Sequence, residues 1–131
     1  MRCSAVVVLA LLTVPFALWA QTPSSLDIYW IDVEGGAATL IVTPQRESVL
    51  MDTGWPRSDM RDAKRIQAAM SDAGVSELDF VLISHFHRDH VGGLAALQDR
   101  VTVKQIIDHG DSVEQGREAG QAIWRDYLAV A

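Results

Sequence analysis

The chain has 131 residues, 49% of them hydrophobic, and its 17 acidic and 11 basic residues give a formal net charge of −6. This length and apolar content suit one packed domain and exclude a long multidomain or disordered chain. The acidic charge argues against general binding to nucleic acid phosphates, and nothing in the composition decides the oligomeric state.

The N-terminus has the pattern of a secretory signal peptide. An apolar run from Ala5 to Leu18 follows a basic residue, and the small residue Ala20 stands at the expected cleavage site. The run is too short for a membrane-spanning helix and contains Pro15, so we expect no stable membrane anchor. We therefore predict a signal peptide over residues 1–20, a mature domain over residues 21–131, and a secreted or periplasmic location.

Cleavage would remove Cys3, the one cysteine of the chain, together with Arg2. The mature part would then carry 10 basic against 17 acidic residues, a charge of −7. Without thiols it can form no disulfide bond, and any bound metal ion must be held by imidazole and carboxylate groups.

Three short strands are predicted first. They cover residues 26–33, 38–43 and 48–51, which are rich in β-branched and aromatic residues, and they are separated by Gly35-Gly36 and by the polar turn at residues 44–47. Such spacing is typical of strands joined by hairpins.

Helices and strands then alternate. Ser58 is predicted to cap a helix that ends at Gly74. The later elements are a buried strand over 80–83, a short helix over 91–97, a strand over 101–107, and a helix opened by a capping-box pattern at 112–115. This order predicts an α/β fold, in which ligands gather at the carboxyl ends of the strands.

The stretch "SHFHRDHVGG", residues 84–93, follows one of those strands and contains three of the four histidines. His85 and His87 are two residues apart, so in extended backbone they point to the same side. Asp89 and His90 come after the chain has begun to turn. The pattern indicates two pairs of ligands for two adjacent divalent metal ions, zinc first, with iron or manganese as alternatives. A solvated polar loop is the competing interpretation.

The motif from His85 to His90 resembles the H-x-H-x-D-H signature of the metallo-β-lactamase-fold hydrolases. The stretches "IDVEGGAATLIV" and "SVLMDTG" are similar to the opening strands of that fold, especially in the hydrolase-like domain of bacterial DNA-uptake channel proteins. The resemblance implies an αβ/βα sandwich, of which this chain contains only the N-terminal half. It also implies metal-dependent hydrolysis of an ester, lactam or phosphodiester bond, and it does not identify the substrate.

Carried over to this sequence, the resemblance assigns His85 and His87 to the first metal ion, and Asp89 and His90 to the second. Asp89 is also the implied catalytic residue, because it would orient the attacking water. Asp52 would support the metal loop by hydrogen bonds. The alternative for Asp52 is a turn residue that bonds within its own loop.

The chain also departs from the family pattern. The full site of the family also needs a later histidine, a bridging aspartate and a final histidine, and none of these has a counterpart here. We therefore expect an N-terminal fragment, and the sequence does not decide whether this fragment is active by itself. We also expect its sheet to expose an apolar face. His109 is the one unassigned imidazole. It is a candidate residue near the site, and we interpret it as a loop histidine at the rim.

Two other functions fit parts of the sequence. Asp52-Thr53-Gly54 is also the signature of aspartic proteases, and a dimer would pair two such aspartates. A helix is predicted directly after this motif, which argues against the aspartic proteases because they are nearly all-β. Sensitivity to pepstatin would indicate an aspartic protease, whereas sensitivity to a chelator would indicate a metal-dependent hydrolase. The other alternative is a non-catalytic exported metal-binding module, which would bind metal without turnover.

Overall fold

The structure is a computed structural model that describes residues 25–131, so the predicted signal peptide lies outside the described residues. Within it, five strands form one sheet in the order β1-β2-β3-β4-β5. The strands are β1 Asp27–Trp30, β2 Thr39–Val42, β3 Ser48–Met51, β4 Glu77–Leu82 and β5 Thr102–Ile107, and the helices are α1 Arg61–Asp72, α2 Arg88–Val91, α3 Leu94–Gln98 and α4 Glu118–Leu128. The predicted α/β class is confirmed.

The sheet changes from antiparallel to parallel at β3. The first three strands pair antiparallel, as the predicted hairpins require. β3, β4 and β5 pair parallel because α1 crosses between β3 and β4, and α2 and α3 lie between β4 and β5. The carboxyl ends of these three strands therefore open at one edge of the sheet.

The core lies between one sheet face and the helices. Leu40, Leu50 and Val81 are register neighbours on adjacent strands and are 0% exposed. Ile66 and Met70 of α1 are buried in the same apolar cluster. Each such side chain stabilises the fold by roughly 1.5–3 kcal/mol relative to exposure. Among the described residues, no helix is long and apolar enough to cross a membrane.

The opposite sheet face is open. One register row crosses all five strands: Trp30, Thr39, Met51, Leu82 and Ile107. Paired residues share a face, and Trp30 is 80% exposed while Met51 and Ile107 are also exposed. The expected exposed apolar face is thus present, and this row lies at the edge where the parallel strands end.

The predicted cap of α1 is wrong. The helix begins at Arg61 after Met60, which is in a left-handed conformation without a side-chain cap. Ser58 lies in a turn, closed by the Met60 N–H donating to the Arg57 carbonyl. The Asp59 carboxylate accepts the Arg61 N–H instead, because the turn carries Ser58 away from the helix end.

Two further boundaries differ from the predictions. The capping-box pattern at 112–115 does not open a helix; its serine bonds Glu114 within a turn, and α4 begins at Glu118. Gly116 lies just before α4, where it disfavours helix. The single helix predicted over 91–97 is instead α2 and α3, which are separated by Gly92-Gly93.

A polar pair joins β3 to β4, and it yields a prediction. The buried Ser48 donates its N–H to Asp79 at 2.8 Å and accepts the Asp79 N–H at 3.0 Å. Lys104, together with Ser48, lowers the pKa of Asp79 from its ordinary 3.8. Asp79→Asn should lower the free energy of unfolding at neutral pH by about 1–2 kcal/mol.

Because its folded-state pKa is depressed, the Asp79 contribution is present above the unfolded pKa and is lost as pH falls through the folded value. In urea unfolding, the free energy of unfolding of the Asp79→Asn variant should therefore fall less than that of wild type between about pH 5 and pH 3. The exposed Asp72, changed to Asn, is the control. Parallel pH profiles for wild type and Asp79→Asn would contradict this role.

Candidate metal centre

The four predicted metal ligands lie together beyond the carboxyl end of β4. The ring centroids of His85 and His87 are 4.5 Å apart, and those of His85 and His90 are 3.9 Å apart. Asp89 Oδ2 lies 3.7 Å from His90 Nε2. Residues 85–90 thus form one cluster of three imidazoles and a carboxylate, at the edge where the parallel strands end.

The chemistry of this donor set fits zinc, iron or manganese. Burial, and then the neighbouring His90 and His87, lower the pKa of His85 from its ordinary 6.5 and favour the neutral imidazole that a metal requires. Across residues 25–131, however, no three His, Cys, Asp or Glu side chains are arranged to hold an ion. The donors are suitable, and their side chains must rotate to converge on a metal ion.

Asp52 connects this cluster to the end of β3. It is 2% exposed, and its backbone φ of 61° lies in the left-handed region. Its carboxylate accepts the Ser84 N–H at 2.9 Å and the Ser84 O–H at 2.7 Å, and its Oδ2 lies 2.8 Å from His90 Nδ1. These three bonds reach the metal loop, and none of them stays within the Asp52 turn.

The Asp52 network orients two of the imidazoles. The Ser84 hydroxyl donates to Asp52, so it is an acceptor for His85 Nδ1 at 3.0 Å. His90 Nδ1 donates directly to Asp52. With the proton of each ring held on Nδ1, Nε2 is the nitrogen available to a metal ion. Ser84 was not assigned a role from the sequence, where a serine before a histidine carries no distinctive signal.

The backbone of the metal loop is clamped from two sides. Thr53 donates its N–H and its hydroxyl to the His90 carbonyl at 2.6 and 3.0 Å. The Ala37 N–H donates to the Asp89 carbonyl at 3.0 Å. A Cβ at Gly36 would collide with the Asp89 carbonyl, so the loop between β1 and β2 can approach only without a side chain there.

Asp62 holds the turn after Asp52, and sequence reasoning did not identify it. It is 1% exposed, accepts the Trp55 N–H at 2.8 Å, and pairs with Arg61 at 2.7 Å. In the sequence, an aspartate in the first turn of a helix does not indicate that its carboxylate points back toward Trp55.

Two further residues, His109 and Glu114, lie outside or at the edge of the imidazole cluster. His109 is exposed, and its ring packs 5.1 Å from that of Phe86 rather than within the imidazole cluster. Glu114, which the sequence placed in a helix cap, has its Oε1 3.5 Å from His87 Nε2. The His109 ring thus lies outside the imidazole cluster, and Glu114 brings to the site a carboxylate that the sequence did not indicate there.

The Asp52 network predicts the stability of two variants. Asp52→Asn replaces one acceptor oxygen by a donor that faces Ser84 or His90. It should lower the free energy of unfolding by about 2–4 kcal/mol, because hydrogen bonds to a buried charge are lost. Ser84→Ala should cost about 1 kcal/mol. Urea unfolding of both, with Asp72→Asn as an exposed control, measures this. Equal stability of Asp52→Asn and the control would contradict the network.

The model of the metallo-beta-lactamase superfamily matches residues 31–127. No curated protein matches significantly.

Several solved structures are similar. A mutant of the metallo-β-lactamase with a HARLDQ motif from Cronobacter sakazakii is 25% identical, with 80% of this chain and 38% of that chain covered and a TM-score of 0.54. Another mutant of it is 23% identical, over 71% and 34%, with a TM-score of 0.54. A subclass B3 metallo-β-lactamase from a soil metagenome library is 33% identical, over 64% and 30%, with a TM-score of 0.44.

This chain spans 30–38% of the length of these three structures. The two Cronobacter sakazakii structures share its fold. None of the three shows the more specific likeness to DNA-uptake channel proteins, which stays a prediction. Because the superfamily model matches most of the chain, from residue 31 to residue 127, this chain belongs to the metallo-β-lactamase superfamily.

Proposed function

We propose that this chain supplies the metal-binding N-terminal half of an exported, metal-dependent hydrolase. His85, His87, Asp89 and His90 would hold two divalent metal ions, zinc in the first place. The observation that carries the proposal is the Asp52 network, in which a buried carboxylate and the Ser84 hydroxyl engage Nδ1 of two neighbouring imidazoles. Carboxylate–histidine pairs of this kind orient metal ligands in proteins.

Bound metal ions would supply Lewis acidity and a hydroxide nucleophile near neutral pH. The chain's own residues would align the water and leave a side open to the substrate. Asp89 is a quarter exposed and lies beside His90, so its carboxylate can accept a hydrogen bond from the attacking water and align it. His87 is the most exposed of the clustered imidazoles at 55%, and substrate would approach from its side.

The bond cleaved is proposed as a lactam, ester or phosphodiester. A lactam is the first to test, because a similar solved structure at 25% identity is named a metallo-β-lactamase. The apolar row that contains Trp30, Met51 and Ile107 lies at the same strand edge and favours a substrate with an apolar part. Export rests on the signal-peptide pattern of residues 1–20.

A non-catalytic metal-binding module is the second candidate. The same cluster of imidazoles at residues 85–90 supports it, since metal binding alone requires no turnover. The aspartic protease alternative has no such support. Asp52 is 2% exposed and engaged by Ser84 and His90, so it cannot face a partner aspartate across a dimer.

Elemental analysis of the protein, purified without a histidine tag, tests metal binding. Wild type should hold divalent metal, and His87→Ala and Asp89→Ala should lose most of it because each removes a donor. His109→Ala is the matched control, since that imidazole lies outside the cluster. Metal loss that is equal in His109→Ala and His87→Ala would contradict the assignment.

Turnover separates the two functions. Where wild type hydrolyses a lactam, ester or phosphodiester, His87→Ala and Asp89→Ala should abolish the activity, with a loss of at least about 100-fold, while far-ultraviolet circular dichroism stays unchanged. Full activity in either variant would contradict the assigned roles. Metal binding without turnover on the whole panel would favour the non-catalytic module.

A further inference from the structure

We propose that the Glu114 carboxylate holds the His87 imidazole through Nε2 and thereby presents Nδ1 of that ring to the metal centre. This inference rests on the proposed function of the cluster and adds a positioning residue to it. Glu114 lies in the turn between β5 and α4, 24 residues after His90, the last residue of the motif. Nothing in the H-x-H-x-D-H pattern points to it.

His87 needs such a partner more than the other imidazoles do. His85 and His90 are oriented through Ser84 and Asp52, whereas His87 lies outside that network. Its Nε2 is 3.5 Å from Glu114 Oε1. This distance is longer than that of a standard hydrogen bond, and rotation about the side-chain torsions of Glu114 would shorten it without any change in the backbone.

The turn that carries Glu114 is tightly built. The buried Ser112 accepts the Glu114 N–H at 3.3 Å, and the Glu114 carbonyl accepts the Arg117 N–H at 3.0 Å. A Cβ at Gly120 of α4 would collide with the Glu114 carbonyl, so this glycine permits the close approach. The backbone of Glu114 is therefore fixed by contacts on both sides, and its side chain starts from a defined position beside His87.

The chemistry matches that of the other two histidines. A carboxylate at one ring nitrogen retains the proton there and leaves the other nitrogen free as a metal ligand. For His87 the engaged atom is Nε2, so Nδ1 becomes the ligand atom. Arg117 competes for Glu114 at 3.5 Å, but it is 80% exposed, and ion pairs of such exposed side chains are weak.

The first measurement is the tautomer of His87 in metal-free protein, from nitrogen-15 NMR of the histidine side chains. Wild type should carry the proton on Nε2, and Glu114→Ala should lose this preference. Glu114→Gln should keep it, because the amide oxygen still accepts a hydrogen bond. Glu118→Ala, at an exposed residue that opens α4, should match wild type.

The second measurement is zinc affinity, by competition with a chelating fluorophore. Glu114→Ala should bind zinc about 10-fold more weakly than wild type, Glu114→Gln should be intermediate, and Glu118→Ala unchanged. Thermal unfolding of the metal-free proteins separates positioning from a loss of fold. If alanine prevents folding, Glu114→Met replaces it, since methionine fills the space and accepts no strong hydrogen bond.

The outcomes distinguish this inference from the proposed function. An unchanged His87 tautomer in Glu114→Ala overturns the inference, as does equal loss of zinc affinity in Glu114→Ala and Glu118→Ala. A wild-type protein that takes up no zinc contradicts the proposed function instead, and the tautomer then decides alone whether Glu114 orients His87.

Discussion

The Asp52 carboxylate is buried where β3 ends, and a buried charge is tolerated only when donors replace its lost hydration. Two of those donors come from Ser84 and one from His90, so the end of β3 and the metal loop after β4 are fixed to each other. Parallel pairing makes this possible, because Met51 and Leu82 are register partners and both strands finish at one edge. The orientation of two imidazoles follows from this one satisfied charge.

The rest of the site is built to keep that arrangement rigid. Thr53 bonds the His90 carbonyl, and Asp62 holds the turn that follows through the Trp55 N–H. Gly36 lets a neighbouring loop reach the Asp89 carbonyl without a clash. Backbone clamping of this kind limits the movement of the donors to side-chain rotation, which is the change that a metal ion would require.

The open sheet face gives the metal centre an apolar neighbour. Trp30, Met51 and Ile107 are exposed in one register row at the strand ends, beside the loop that carries the histidines. Superfamily membership explains the fold that the chain shares with the two Cronobacter sakazakii structures, of whose length it spans 34% and 38%. The hydrolase chemistry that we propose for this site would place the exposed row next to the metal ligands, where it could contact a substrate with an apolar part.

Local patterns in the sequence determined the α/β class, the three antiparallel strands and the grouping of His85, His87, Asp89 and His90, since alternation and close spacing act over a few residues. Helix starts were mispredicted at Ser58 and at Ser112, because turns fixed by packing placed those serines away from the helix ends. The sequence also left open whether Asp52 bonds its own turn. Only the tertiary structure decided that it reaches Ser84 and His90, or that Glu114 lies beside His87, because these contacts join residues 27 to 38 positions apart. No local sequence pattern encodes these contacts, because they form only when parallel strands pair and the chain packs.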